Sequence, residues 1–232
     1  MPQPISALPL PRLLLLLSAM TGLIDAVSIL GLGKVFVANM TGNVVFLGFA
    51  LAGAPGFQIW HYVIALLTFM GGAIVAGRLG KHHANRPVGQ WLSRAALFEA
   101  ILLWIAAAVA LGYTHTTQEP RAAMYAIIAC TAVAMGFRNG TVRQLKIPDL
   151  STTVLTLTIT GIAADSIMAG GSGENIGRRL GAVAMLLLGA LVGAALVVRF
   201  GLAVPLVITG AVVWIGTLLC TRHPAAARPH GQ

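Results

Sequence analysis

Asp25, in TGLIDAVS, lies inside an apolar run from Leu10 to Leu32, where an unpaired carboxylate is costly. Thr21, Gly22 and Ser28 share its helical face, so the carboxylate looks across a seam of small residues. Either hydroxyls or one basic partner hold it in place, or it exchanges a proton or binds a solute. A second polar group follows in VFVANMTGNVVFLG, residues 35–48. Asn39 and Asn43 stand four apart, with Thr41 between them, and Gly42 allows the backbone to break or a neighbour to approach. Asparagine donates and accepts without carrying charge, which suits a small polar solute or ion as well as hydrogen bonding between helices.

The third group is STTVLTLTITG, residues 151–161. Thr152, Thr156 and Thr160 recur at every fourth position and form a hydroxyl stripe. Such a stripe lines a hydrated path, or its hydroxyls bond back to the carbonyls of their own helix. The fourth group comprises Arg138, in AMGFRNG, and Glu99. Arg138 is expected either to reach the membrane surface along its own aliphatic stem or to turn inward onto Asp25. Glu99 is expected to pair with nearby Arg94 or to carry a proton.

These residues must be positioned by helices in a bilayer. Of the 232 residues, 57% are apolar and only 9% are charged, and the mean hydropathy is +0.87, far from the usual composition of a soluble domain. The apolar character is spread along the chain in runs such as AMLLLGALVGAALVV, which are apolar on every face and so unlike the alternating strands of a membrane barrel. Eight stretches approach the length of a spanning helix. Their limits are 10–32, 35–54, 59–77, 92–113, 122–136, 150–169, 180–198 and 200–220.

The second and sixth stretches hold the asparagines and the threonines, and both are poor lipid-facing spans. If these two dip in and return, Lys and Arg divide twelve to three. Lys34, Arg121 and Arg199 then stand on one side and all the rest on the other, a strong positive-inside signal. Eight full spans divide them nine to six. Seven spans, with only the sixth stretch re-entrant, score as well as six, because Arg12 and Lys34 merely exchange sides. The fold class is therefore an all-α polytopic bundle, read as six full spans plus two polar broken or re-entrant helices with both termini cytoplasmic.

An internal repeat favours six. Sliding the sequence by 115 residues aligns Ala19 and Met20 with Ala134 and Met135, Val27 with Val142, Leu30 with Leu145 and Thr41 with Thr156. Three spans per half would invert one half relative to the other, as in many secondary transporters. The expected organisation is one membrane domain over 1–222, with halves 1–116 and 117–222 and a disordered tail at 223–232. The N-terminal apolar run continues past the small residues near Ala19, so it is read as a span and not as a cleaved signal.

The net charge of +9 is scattered over several loops, which orients helices and does not suggest nucleic-acid binding. Cys130 and Cys220 lie in apolar stretches and are expected to pack. The histidines lack acidic partners at ligand spacing, so no metal and no cofactor is expected. No nucleophile elbow, zinc-protease helix or phosphate-binding loop occurs, and no enzymatic activity is expected. GGSGENIG, residues 170–177, reads as a loop before Arg178 and Arg179. Small-residue runs at 71–77 and 189–194 point to a homodimer.

The stretches TGLIDAVSILGLGKVFVANMTGNVVFLG, AMGFRNGTVRQL and STTVLTLTITG, at 21–48, 134–145 and 151–161, resemble the YoaK-like bacterial membrane proteins, a family built around a domain of unknown function. FVANMTGN is the most specific part, and the likeness covers essentially the full chain. The resemblance implies an integral protein of the bacterial inner membrane. That family usually carries Gln-Asn where this chain has Arg138 and Asn139, and Thr-Gly where it has Thr156 and Leu157. Asp25, Asn39, Thr41, Gly42 and Asn43 match best. The expected function is a transporter or channel-like protein for a small solute or ion, in contact with the lipid bilayer. The alternative is a non-transporting scaffold or accessory subunit that binds lipid or a partner protein.

Overall fold

The computed structural model describes residues 10–82, 87–144, 155–173 and 175–222; the 223–232 tail and Thr152 lie outside them. Eight α-helices follow one another among these residues: α1 (Leu10–Gly31), α2 (Met40–Leu51), α3 (Ile59–His82), α4 (Val88–Ala110), α5 (Arg121–Gln144), α6 (Leu155–Ala164), α7 (Ile176–Phe200) and α8 (Ala203–Thr221). No strand occurs among them. Six helices are long and apolar enough to cross a bilayer, and α2 and α6 are not among them. At 1.5 Å per residue, 12 residues of α2 reach about 18 Å, against roughly 30 Å of hydrocarbon.

Helix directions distinguish the alternative topologies. Gly22 of α1 lies against Leu186 and Ala190, Gly189 against Ala19, and Gly193 against Leu23 and Ala26, so α1 and α7 pack in parallel. In the same way Gly136 meets Phe69, Gly72 meets Val133, and Gly140 meets Ala73, which makes α3 and α5 parallel. α4 and α8 run antiparallel, since Trp104 Nε1 donates to Val207 O at 3.3 Å while Ser93 meets Thr221 at 3.1 Å. If either α2 or α6 alone crossed the bilayer, α1 and α7 would oppose each other; if both crossed, α4 and α8 would point the same way. Six crossings satisfy all three pairings.

The two parallel pairs are equivalent. Exchanging α1 for α5 and α3 for α7 carries the Gly22–Leu186 contact onto Gly136–Phe69, and Gly189–Ala19 onto Gly72–Val133. Each glycine sits where a Cβ would collide with the facing backbone, so its absence lets the helices touch. α2 then rests on α3 as α6 rests on α7. The correspondence within α1 and α5 is one residue earlier than the 115-residue slide. Gly72 and Gly189 are thus used inside the chain, which removes two of the small residues on which the expected dimer contact rested.

α1 is the centre of the bundle. Leu14, Leu23, Ile24 and Val27 are buried on its several faces, together with Ser18, Thr21, Asp25 and Ser28. α7 shows the opposite pattern, with Leu187, Leu188, Leu191 and Val198 exposed as on a lipid-facing helix. α5 continues well past the sequence-based limit at residue 136, so Arg138 and Asn139 stand within it.

Candidate functional site

α1 ends at Gly31, and Gly33 and Lys34 take left-handed conformations (φ 77 and 62) that turn the chain back over the bundle. Gly33 meets that need without steric cost. The returning segment, residues 35–39, passes Asp25. Asp25 Oδ1 accepts from the backbone N–H of Val37 at 3.3 Å and of Ala38 at 3.2 Å, while Asn39 Nδ2 donates to Oδ2. An unwound stretch at membrane depth needs partners for its freed backbone groups, and a buried aspartate supplies them.

Asn43, on the first turn of α2 and fully buried, completes the junction. Its Oδ1 accepts from Phe36 N at 2.9 Å, and its Nδ2 donates to Phe36 O at 2.5 Å. One side chain therefore closes both backbone groups of a residue seven positions back. A Cβ on Gly42 would meet the Phe36 ring, so this glycine makes room for the aromatic. Phe36 stacks on Phe46 at 5.9 Å, which meets Phe57 and Tyr62 at 5.3 and 5.9 Å, and Lys34 Nζ lies 5.1 Å from the Phe57 ring centroid. Thr41 is exposed. Asn39 and Asn43 do not share a helical face as expected, because Asn39 precedes α2; they converge through the folded-back loop.

Deeper in the bundle, Arg138 of α5 and Glu99 of α4 form an ion pair, both nearly devoid of solvent exposure. Arg138 also donates through Nη1 to Thr21 Oγ1 at 3.2 Å and to Leu17 O at 3.4 Å. The expected Asp25–Arg138 pair and the expected Glu99–Arg94 pair are therefore replaced by Arg138–Glu99. Asp25 is occupied by the α2 junction, and Glu99 offers Arg138 a carboxylate on the helix it faces. The reading of Arg138 as a side chain reaching the surface fails for the same reason. Thr21 lies one turn before Asp25 on α1, so polar groups follow one another through the core from Asn39 and Asp25 to Thr21, Arg138 and Glu99.

The threonines stand apart. Thr156 and Thr160 are exposed on α6, which rests on α7 and buries none of its residues. There Asp165 pairs with Arg179 at 2.6 Å. α2 enters from the end where α1 stops, and α6 from the end where α5 stops, so the two short helices do not build one common site around Asp25. Sequence reasoning missed the backbone donors of Val37 and Ala38, the Phe36 acceptor and Thr141, one turn beyond Arg138. Of these, only Thr141 carried a readable signal, its i, i+3 spacing from an arginine.

Residues 13–219 match the family described as "Protein of unknown function (DUF1275)". The chain belongs to this family. It is also 30% identical, over 153 residues, to the UPF0700 transmembrane protein YoaK of Bacillus subtilis (strain 168), an alignment covering 66% of this chain and 65% of that relative. The chain thus spans just under two thirds of the curated relative's length. No solved structure matches it. Family membership and six apolar spans make this a multi-pass membrane protein, and every residue of the Asp25–Asn43 junction and of the Arg138–Glu99 pair lies within the matched segment.

Proposed function

We propose that this member of the family is a small transporter or channel-like protein of the bacterial inner membrane, passing a small polar solute or ion between its two halves. The observation that carries this reading is the polar succession from half-buried Asn39 through buried Asp25, Thr21 and Arg138 to Glu99, set in an otherwise apolar core. Charged residues inside a membrane domain are expensive and typically mark a pathway. The two packing-equivalent halves, near 1–116 and 117–222, supply elements able to rock against each other. In this reading the pathway is closed at the end where Asp25 and Asn43 bind the α2 junction beside the Phe36, Phe46 and Phe57 rings.

The distribution of Lys and Arg supports one orientation. Lys34, Arg121 and Arg199 lie at the Asp25 end, and Arg12, Arg78, Lys81, Arg143, Arg178, Arg179 and Arg222 at the other. The positive-inside tendency supports a cytoplasmic second end, with both termini on that side. A homodimer would use the exposed α6–α7 face.

One observation favours the scaffold reading instead. Asn43 spends its amide on both backbone groups of Phe36 and on the neighbouring Met40 Sδ at 3.5 Å, as a structural brace would. Cysteine accessibility separates the two. With Cys130 and Cys220 changed to Ser, single cysteines at Asn39, Asn43, Thr156 and Thr160 are treated from each side with an impermeant thiol reagent in membranes. Transport predicts labelling of Asn39 or Asn43 at membrane depth, with Asp25→Asn abolishing flux while assembly persists. Silence at both positions in a folded chain transfers the assignment to a scaffold.

A further inference from the structure

Near the cytoplasmic end, α1, α4, α5 and α8 leave a cavity of about 30 Å³ between them, room for roughly two waters. Leu13 and Leu17 of α1 and Thr217 of α8 line it together with Glu99, Arg138 and Thr141. The walls are mostly apolar, but two polar atoms have no hydrogen-bond partner among the described residues: Arg138 Nε and Thr141 Oγ1. Both residues are more than nine-tenths buried, at 3% and 4% exposure. A guanidinium N–H that donates to nothing is costly in such surroundings, so the chemistry calls for a small acceptor. Beside the Glu99 carboxylate that acceptor should be neutral, because an anion would be repelled.

We propose that this cavity is a hydrated proton-exchange site, in which water held by Arg138 Nε–H and the Thr141 hydroxyl connects Glu99 with the cytoplasmic end. Loading is a simple transfer: a hydronium gives its proton to a Glu99 carboxylate oxygen, an O–H bond forms, and water is left. Arg138 keeps its charge throughout, so the pair passes from neutral to a net single positive charge. Of the groups facing the cavity, only Glu99 and Arg138 are charged; α1 contributes leucines, α8 contributes Val213 and Thr217, and Asp25 lies beyond Thr21. Protonation weakens the hold of Glu99 on Arg138, whose other contacts are Leu17 O and Thr21, the latter one turn from Asp25. Coupling of that step to solute movement rests on the transport reading, whereas the proton site itself does not.

The test uses a hydrophobic carbodiimide on the full chain in native-like membranes, with mass spectrometry of the labelled peptides. This reagent adds a protonated carboxyl group across its N=C=N unit without a leaving group, so it reports carboxylic acids in apolar surroundings. Labelling is expected at Glu99, increasing from alkaline to mildly acidic buffer, lost in Glu99→Gln and retained in Asp25→Asn. Thr141→Val, close in shape but unable to hold the water, should slow it severalfold in a protein that still folds. Absence of label at Glu99 in the folded wild-type chain, label independent of pH, or an unchanged rate in Thr141→Val would overturn the proposal. The wild-type measurement needs no variant to fold. Labelled Glu99 with silent thiols at Asn39 and Asn43 would leave a proton site without transport, and reactive thiols with an unlabelled Glu99 would leave transport without this proton site.

Discussion

Arg138 of α5 closes on Glu99 of α4 while also donating to Thr21, the α1 residue one turn before Asp25. One guanidinium thereby ties three helices together from both halves of the chain. Its charge is compensated inside the protein, which is what allows α5 to continue as a membrane helix through an arginine. The same contact leaves Asp25 free for a separate task, holding the backbone where the chain turns into α2.

Breaking this pair should be expensive. Arg138→Ala or Glu99→Ala leaves a lone buried charge, a loss of about 3–5 kcal/mol, whereas Arg138→Met combined with Glu99→Leu removes both charges and should recover most of it. Thermal unfolding of the purified protein in detergent reads the difference. Single variants that unfold like the wild type would mean that the charges are not buried together.

At the α2 junction the expected losses are graded. Asn43→Ala strands both backbone groups of Phe36, at roughly 1–3 kcal/mol, and should accelerate amide exchange at Phe36. Asp25→Asn keeps an acceptor for Val37 or Ala38 but loses the ionic strength of those bonds, so it should destabilise less than Asp25→Leu. Hydrogen exchange across residues 36–39 checks the order, and an equal effect of the two Asp25 variants would refute it.

Tyr113 supplies a pH-dependent prediction. Its hydroxyl donates to Gly31 O at 2.8 Å and fixes the end of α1. Burial, with a smaller push from Glu119, raises its pKa from 10.0 to about 12. The raised value means that the folded state favours the protonated phenol. Its contribution is therefore complete below pH 10 and disappears as pH rises from 10 towards about 12. Tyr113→Phe should lose about 1 kcal/mol at neutral pH and show less alkaline destabilisation than the wild type across that window. Parallel stability curves for the two proteins would argue against the bond.

Much of the architecture was legible because it is local. The polar character of the second and sixth stretches marks them off from the spans, and the charge distribution favours six or seven spans over eight. Six and seven could not be separated by charge, since moving Arg12 and Lys34 together leaves the count unchanged; the relative direction of α1 and α7 separates them. Asp25, Asn39 and Asn43 stood out as polar residues in an apolar context, yet their partners are backbone atoms brought near by a turn at Gly33 and Lys34. Arg138 falls outside the fifth apolar stretch because that stretch, as read from the sequence, ends at 136. Only tertiary packing against Glu99 makes its continuation inside the helix affordable.

The equivalence of the two parallel helix pairs makes a prediction that neighbouring glycines can decide. Gly72 faces the Val133 backbone, while Gly71 has open space where a Cβ would go. Gly71→Ala should be neutral or stabilise by up to about 1 kcal/mol through helix propensity. Gly72→Ala must push α3 away from α5, at roughly 1–3 kcal/mol. Under the exchange of halves, Gly189→Ala meets the Ala19 backbone in the corresponding position on α7, so its loss should match that of Gly72→Ala. Both helix pairs are parallel, with their close contacts near the middle of each span, so neither substitution can be relieved by fraying at a helix end. Thermal unfolding of the three variants against wild type decides the matter. A tolerated Gly189→Ala beside a damaging Gly72→Ala would mean that the halves are not packed equivalently, and the rocking of one half against the other would lose its structural basis.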